Sequence, residues 1–504
     1  MISHLITELQ SYGLRFEGKL LKRKGGAGPA EGGTLLIERI PVSLPMSSKY
    51  VSESPYLLRE EGGKYLIFKD GKSLHPVEFV ERPKFYNDST EDEIPYQKIA
   101  LLHGKDCLAT TVVQACAHWH TKKRCLFCGI NLSHESGQTL KIKTPEQIAE
   151  VAAKAKKLDS IQHIVLTTGT VQPIAREISH LARCAAVIKK ATDLPIHAQF
   201  TPSSDPEKFY ELKDAGVDTV GIHIESFDVE ILSRVAPAKA VMGLKKYEKA
   251  WKIAVEVFGP GQVSTFLIVG LGEKKESVIW GSECLADLGV YPFVLPLRPI
   301  PGSLMQDALP PDPEEMKRIY EAVACILKRK GLSASQSLAG CVRCGSCSAL
   351  HTFEQTTDPL ICHPVRTRVE QERAFAIRKE VFVLEQKIFS NSDVDENDLK
   401  SIHLVAEWNN EVVGTVRVFP VNKSGHWIGG RLAVRKGFRN TGAGELLVRE
   451  AMGRVKSQSC TKFTAHIQVE NVPFFSQLGW KTIEAVKEYF GKPHQLMEAN
   501  LDDL

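Results

Sequence analysis

The stretch Cys116–Cys128 reads CAHWHTKKRCLFC and places cysteines at 116, 125 and 128, a C-x8-C-x2-C run. Cys125 and Cys128 are near enough in sequence to grip one metal centre. Cys116 reaches the same centre if the eight residues between it and Cys125 loop out. Iron–sulfur clusters are ordinarily held by four cysteines, so three thiolates on a 4Fe–4S cluster leave one iron open for chemistry. Phe127 sets an apolar ring just before the last cysteine, where it can shield a cluster from water. A structural zinc site is the competing reading of these three cysteines.

Outward from this loop the chain alternates strand-like and helical runs. The predicted strands are CLATTVVQA (107–115), IQHIVLTTG (161–169), PIHAQFT (195–201), VDTVGIHIE (217–225), VSTFLIVGLG (263–272) and YPFVLPLRPI (291–300). Helical runs such as PEQIAEVAAKAKKL lie between them, apolar at three- and four-residue spacing. That alternation predicts parallel β/α units. In barrels of such units the chemistry sits at the C-terminal strand ends, and the cysteine loop directly follows the first strand.

The cysteine run resembles the cluster motif of the radical S-adenosylmethionine (radical SAM) enzymes, usually C-x3-C-x2-C with an aromatic residue before the last cysteine. This chain departs from it in the longer first gap. The resemblance implies an α/β fold, a partial (β/α)6 TIM-like barrel. It also implies a 4Fe–4S cluster whose free iron chelates S-adenosylmethionine, and cleavage to a 5′-deoxyadenosyl radical after electron transfer from a donor such as a flavodoxin or ferredoxin. It further implies roles at the strand ends. Thr168, Gly169 and Thr170 stand where the family receives the methionine amino group, in a TTG form similar to the biotin synthase branch. Glu225 and Arg234 stand where the ribose or amino end and the carboxylate are held. Gly270 and Gly272, in the run GLGE, match the turn near the adenine, and Arg298 to Gly302 resemble the polar rim facing substrate. His118 and His120, inside the loop, read either as a ligand or proton donor or as ordinary loop histidines.

Further on, GCVRCGSCSAL places Cys341, Cys344 and Cys347 at C-x2-C-x2-C spacing. The dense spacing points to a second iron–sulfur cluster or to zinc, with Cys362, His351 or His363 as fourth ligand. TTDPLICHP then reads as a linker.

From about residue 363 the pattern changes. A helix, RVEQERAFAIRKEVFVLEQ, precedes two strands joined at Asn409-Asn410. Arg439-Asn440-Thr441-Gly442-Ala443-Gly444 lies between a strand and a helix. A glycine turn at a helix N-terminus points backbone N–H groups at an anion such as a pyrophosphate; the third glycine of a Rossmann dinucleotide turn is missing. The run resembles the R/Q-x-x-G-x-G/A motif of the GNAT acyltransferases, and NVPFFSQLGW resembles their Asn-containing helix and following turn. The resemblance implies a GNAT α+β domain binding acetyl-CoA through Arg439, Gly442 and Gly444. Acyl transfer to an amine needs a base, and often an acid for the departing thiolate. Where the family commonly has a tyrosine this chain has Phe474 or Phe475. Tyr489, the sole tyrosine after residue 363, is the phenolic acid to consider, and Glu470, His426 or His466 the base.

At 504 residues the chain exceeds one ordinary core. The expected division is 1–100, a small α+β lead-in with a flexible glycine stretch (Gly25 to Gly33) and a hairpin at Asp70-Gly71; 101–362, the radical SAM domain; and 363–504, the GNAT domain. A net charge of +4 shows no strong nucleic-acid or membrane footprint. No run approaches the ~18 apolar residues of a membrane span, and the first residues lack the pattern of a signal peptide. Twelve cysteines without a secretion signal point to metal binding or buried thiols in a reducing, cytoplasmic setting. The whole reads as a bifunctional enzyme acting on small molecules. By overall pattern it resembles radical SAM and acetyltransferase proteins of bacterial nitrilase-associated gene clusters, here fused. The elongator catalytic subunit, which joins the same two modules to modify wobble uridine in tRNA, is the alternative, with a non-catalytic ligand-binding regulator as a third; the weak net charge speaks against RNA.

Overall fold

The computed structural model describes residues 2–18, 24–25, 32–356, 360–408, 411–421, 425–439 and 441–501. Gly26, Gly28, Asn409, Asn410 and Asn440, each part of an expectation above, lie outside the described residues. Two compact units are present, Met1–Thr356 and Thr357–Leu504.

Residues 1–100 belong to the first unit and share its core. A helix, Ile2–Tyr12, leads into a six-stranded sheet. Asp70 and Gly71, at φ 49° and 80°, turn Lys64–Lys69 into Lys72–Phe79 at the predicted hairpin. A second hairpin joins Gly32–Ile37 to Ile40–Pro45 through Glu38 and Arg39 at φ 50° and 70°, without the usual turn residues to announce it. Leu35, Ile37 and Leu44 are buried in the same apolar cluster as Ile99, Leu108 and Phe353.

The second sheet of this unit carries seven strands: β1 (Leu101–His103), β2 (Cys107–Thr111), β3 (His163–Thr167), β4 (Ile196–Gln199), β5 (Thr219–Gly221), β6 (Val263–Val269) and β7 (Val290–Pro296), neighbours in that order. β1 runs antiparallel to β2, and β2 to β7 are mutually parallel, a half-barrel. Each strand is shorter than predicted: the chain leaves the regular ladder before the predicted C-terminal end, as at Val112 to Ala115 and Ile222 to Glu225, and three strands also start later than predicted. Continuous burial along β2 and β3 is what parallel strands covered on both faces require. The two faces of β2 differ: Leu108 joins the large core, whereas Cys107 and Ala109 pack with Val165 and Cys344. The helix Pro145–Asp159 starts at Thr144, whose side chain accepts from Gln147 N while Gln147 reaches back, a capping box with Pro145 at the first position.

The second unit is a sheet of β8 (Ile361–Pro364), β9 (Ile402–Trp408), β10 (Glu411–Pro420), β11 (His426–Val434), β12 (Lys462–Gln468), β13 (Trp480–Thr482), β14 (Lys487–Tyr489) and β15 (Lys492–Ala499). Its order is β8-β9-β10-β11-β12-β15-β13, with β14 beside β15. Only β11 and β12 pair in parallel, from His426↔Lys462 to Gly429↔Ala465. Beyond that register, where Arg431 takes φ 57°, the two strands make no further pairs and part. The predicted first helix is α-helical over Arg368–Arg378 and continues as a π-helical turn over Lys379–Glu385.

Candidate functional site

The loop carrying Cys116, Cys125 and Cys128 leaves the C-terminal end of β2 and is fixed at several points. Cys116 N donates to Asn131 Oδ1 at 3.2 Å, Leu126 N to Val235 O at 2.8 Å, and Cys128 N to Cys125 O at 3.2 Å. Arg124 stacks over the Trp119 ring at 3.3 Å, which folds the long first gap back on itself. The three thiols are within electrostatic reach of one another. Burial, with the neighbouring sulfurs adding to it, pushes Cys125 up to about 12 and Cys128 up to about 11. Half-buried thiols that repel as thiolates are stabilised by a cationic centre among them, so the donor set fits a metal cluster. Phe127 is half-buried against the core. His118 is half-buried and His120 exposed; only the backbone N of His118 is bonded to Cys116 Sγ, at 3.5 Å.

The other strand ends converge beside this loop. Ala117 N donates to Thr170 O at 2.9 Å, and Gly169 N to Val113 O at 2.9 Å. A Cβ at Gly169 would lie 2.1 Å from Ala115 O, so the close approach that glycine permits here is made by the cluster loop itself. Thr168 Oγ1 turns to Gly169 O at 2.9 Å and Thr170 Oγ1 to Thr201 Oγ1 at 3.3 Å. Behind them the buried Glu177 accepts from Val171 N and Thr201 N, and burial raises its carboxyl to about 6.

Glu225 takes φ 78° at the end of the fourth parallel strand and bridges to Leu267. Its Oε1 is 2.6 Å from Lys239 Nζ, while the buried Oε2 has no partner among the described residues. Lys239 also donates to His223 O at 2.5 Å. Burial works against its charge, but Glu225 outweighs that and holds the ammonium well above the usual lysine range. Arg234 Nη2 donates to Leu271 O at 3.0 Å, directly against the Gly270–Gly272 turn, where both glycines have φ above 100°. Glu273 closes that turn by accepting from Gly270 N and Leu271 N. The structure therefore brings Glu225, Arg234, Gly270 and Gly272 to one end of the sheet. Arg298 differs from expectation: its guanidinium donates to Ser43 O, and Pro299 O accepts from Ser48 Oγ at 2.9 Å. The predicted substrate rim instead ties down the N-terminal sheet.

The second cysteine group lies at the opposite, N-terminal ends of the strands. Cys341 and Cys344 lie on the short helix Gly340–Cys344, and Gly345 at φ 66° turns the chain so that Cys347 follows. Gln199 Nε2 donates to Cys341 Sγ at 3.4 Å. The proposed fourth ligands are engaged elsewhere. His351 Nδ1 is 3.1 Å from Ser348 O. Cys362 and His363 belong to the second unit, paired in β8 with Ala406 and Val405, and His363 Nε2 is 3.2 Å from Glu407. His103, which sequence reasoning passed over, is 3.4 Å from both Cys344 Sγ and Cys347 Sγ. Among the described residues, one group of three His, Cys, Asp or Glu side chains brings its ligating atoms within 4.8 Å of one another: His363, Glu370 and Glu407. Neither cysteine triad is drawn that tight.

In the second unit Gly442 caps the helix Ala443–Ser457 at φ 84°, so its left-handed turn aims the first N–H groups outward. A Cβ at Gly444 would meet only Phe474 Cζ, at 3.6 Å. The Arg439 guanidinium does not point at an open site: it is bidentate to Glu385 at 2.7 and 2.5 Å and bonds Val434 O at 3.1 Å. Its role in this structure is to brace the loop against the π-helical turn. Tyr489 stacks on His466 with ring centroids 4.8 Å apart, and burial lowers the His466 imidazole. Glu470 is exposed in the turn Val469–Asn471 after β12. His426 Nε2 is 3.0 Å from Thr464 Oγ1, inside the paired part of β11 and β12. A buried ion cluster, invisible to sequence patterning, packs beneath: Arg378 holds Asp393 and Asp398 at 2.8 and 2.6 Å, Arg417 holds Asp395 at 2.6 Å, and Arg431 lies over Phe389 at 4.6 Å.

Comparison with known proteins agrees with both halves. Residues 122–279 match the Radical SAM superfamily and residues 370–480 the Acetyltransferase (GNAT) family. The chain is 26% identical over 296 residues to bacteriochlorophyllide c C-7(1)-hydroxylase of Chlorobaculum limnaeum, covering 54% of this chain and 73% of that protein. It is 35% identical over 127 residues to the acetyltransferase-named protein BSU40680 of Bacillus subtilis (strain 168), covering 25% of this chain and 85% of that protein. The crystal structure of Escherichia coli ElaA aligns with 28% of this chain and 99% of its own, at 20% identity and a TM-score of 0.26.

Proposed function

We propose that this chain, which carries a radical SAM domain at residues 122–279 and a GNAT acetyltransferase domain at residues 370–480, is a bifunctional enzyme that generates a carbon radical on a small molecule and acylates an amine. The observation that carries the first half is the convergence of the Cys116–Cys128 loop, Glu225, Arg234 and the Gly270–Gly272 turn at one end of the sheet. Cys116, Cys125 and Cys128 would hold a 4Fe–4S cluster. A tetrahedral zinc with sulfurs at about 2.3 Å needs them under roughly 4 Å apart, and the wider triad suits sulfurs that each take a different iron. When bound and reduced, such a cluster supplies the electron that cleaves S-adenosylmethionine. The chain's own part is positioning. Glu225 Oε2 accepts a hydrogen bond from the amino or ribose end. The Gly270–Gly272 turn, left-handed at both glycines, borders the adenine, and Arg234, which braces that turn through Leu271 O, is the cation for the carboxylate. Thr168, Gly169 and Thr170 clamp the cluster loop. A flavodoxin or ferredoxin is the fitting class of electron donor, because the electron must arrive singly.

In the second domain the parting of β11 from β12 leaves unpaired strand edges that an extended, amide-bearing arm of acetyl-CoA can pair with, and the Gly442 turn presents N–H groups to its pyrophosphate. Tyr489 and Glu470 are the proposed acid and base. The experiment is anaerobic reconstitution, reduction and assay for 5′-deoxyadenosine. Wild type produces it and Cys125→Ala does not; production by Cys125→Ala would refute the cluster assignment. Acetyl-CoA binding, measured on the same preparation, tests the second domain.

A further inference from the structure

Cys341, Cys344 and Cys347 sit where the first cluster does not, at the N-terminal ends of the parallel strands. Gly340 N donates to His163 Nδ1 at 3.2 Å at the start of β3, and a Cβ at Gly340 would lie 2.5 Å from His197 at the start of β4. Cys344 shares a small buried cluster with Cys107, Ala109 and Val165, while Cys341 and Cys347 pack against the large core. A C-x2-C-x2-C run is the spacing with which bacterial ferredoxins supply three ligands to one iron–sulfur cluster, the fourth coming from a distant part of the chain. A distant residue is present here. His103 ends β1, opposite Cys107 across the hairpin, and its ring lies between two of the three sulfurs, Nδ1 3.4 Å from Cys344 and Nε2 3.4 Å from Cys347. Room for this approach depends on Gly104, at φ 60°, whose Cβ would lie 2.6 Å from Cys344 Sγ. Donors to sulfur are in place as well, Gln199 Nε2 on Cys341 and Ser346 Oγ at 3.2 Å from Cys344; such outer contacts accompany metal-bound thiolates.

We infer that Cys341, Cys344, Cys347 and His103 together bind a second iron–sulfur cluster, with His103 as the fourth protein ligand. The inference rests on the reading of the C-x2-C-x2-C run as a cluster site and adds the residue that completes it. A cluster ligated four times has no open iron, so this centre is distinct in kind from the one at the other end of the strands. Histidine in place of cysteine raises a cluster's reduction potential.

The test uses the full-length chain with Cys116, Cys125 and Cys128 all changed to alanine, so that only the second site can fill. Reconstituted anaerobically, it should hold about four irons per chain for a 4Fe–4S cluster, or about two for a 2Fe–2S cluster. Pulsed electron paramagnetic resonance of the reduced sample should show strong ¹⁴N coupling from a bound imidazole. Adding His103→Cys should keep the iron, abolish the ¹⁴N coupling and lower the potential. His103→Ala should lose iron, while Cys107→Ala retains it. Iron retained but with no ¹⁴N coupling, or coupling that survives His103→Cys, overturns the assignment of His103 and leaves the cluster. Iron lost in Cys107→Ala but kept in His103→Ala assigns the fourth position to Cys107 and also overturns it. Zinc in place of iron overturns the cluster reading itself.

Discussion

Replacing Glu225 with glutamine removes one negative charge and almost no volume, and the surroundings make its effect calculable. The carboxylate belongs to a residue 6% exposed, and Oε1 is held by Lys239 at 2.6 Å. Glutamine still offers an oxygen to that ammonium, which keeps its bond to His223 O at 2.5 Å. The neutral amide leaves that buried ammonium without its counter-charge, a cost to the fold approaching the roughly 3–5 kcal/mol of a broken buried ion pair, so the folded, iron-loaded fraction of the variant is established before binding is read. What changes is Oε2, buried and without a partner among the described residues. A hydrogen bond to a charged group contributes about 1.5–3 kcal/mol. At about 1.4 kcal/mol per tenfold, losing the charge should weaken S-adenosylmethionine binding by roughly 10- to 140-fold. The assay is anaerobic calorimetric titration of reconstituted protein whose iron has first been counted. Full iron content with an unchanged Kd would refute the assignment of Glu225 to the bound nucleotide.

Gly169→Ala should lower the iron held by the first cluster while sparing the Cys341–Cys347 site, because its Cβ would stand 2.1 Å from Ala115 O and displace the loop; iron counts in variants lacking one site at a time check this. Gly442→Ala puts a side chain at φ 84°, a strain of about 1–2 kcal/mol, and should lower the stability of the second unit by about that amount, read by urea titration. Glu8 makes the stability of the first unit pH-dependent. Burial opposes its charge, but Tyr56, Lys69 and Lys317 outweigh that and lower its carboxyl to about 2. A depressed carboxyl stabilises the fold above the ordinary glutamate range, and the benefit is lost as pH falls from there towards 2. Urea titrations from pH 6 to 3 should show less loss in Glu8→Gln than in wild type.

Spacing in the sequence is most informative where the ligands are near neighbours. Cys125 with Cys128, and Cys341 with Cys344 and Cys347, read from spacing alone as candidate metal ligands, because two intervening residues of backbone can close around one centre. Gly270 and Gly442 are legible for a similar reason: a left-handed turn demands a residue type. The β/α alternation is equally local, since each strand's burial and each helix's periodicity are written within that element. Arg298 and Arg439 show the limit. Their motifs locate them correctly at strand and helix ends, but Ser43 and Glu385 take their guanidinium groups, and nothing in spacing reveals a partner 255 residues away.

The amino-acid sequence alone determined that this chain pairs a radical SAM domain with a GNAT domain and which cysteines form each triad, because those signatures are carried by contiguous residues and by periodicity. Only the folded chain decided what stands next to them. Lys239 meets Glu225 because a helix after the fourth parallel strand folds back over that strand's end. His103 meets Cys344 because a hairpin opening the sheet faces a helix that arrives more than two hundred residues later. Those encounters depend on strand order and on the direction each side chain leaves its element, quantities that exist only once the sheet has formed.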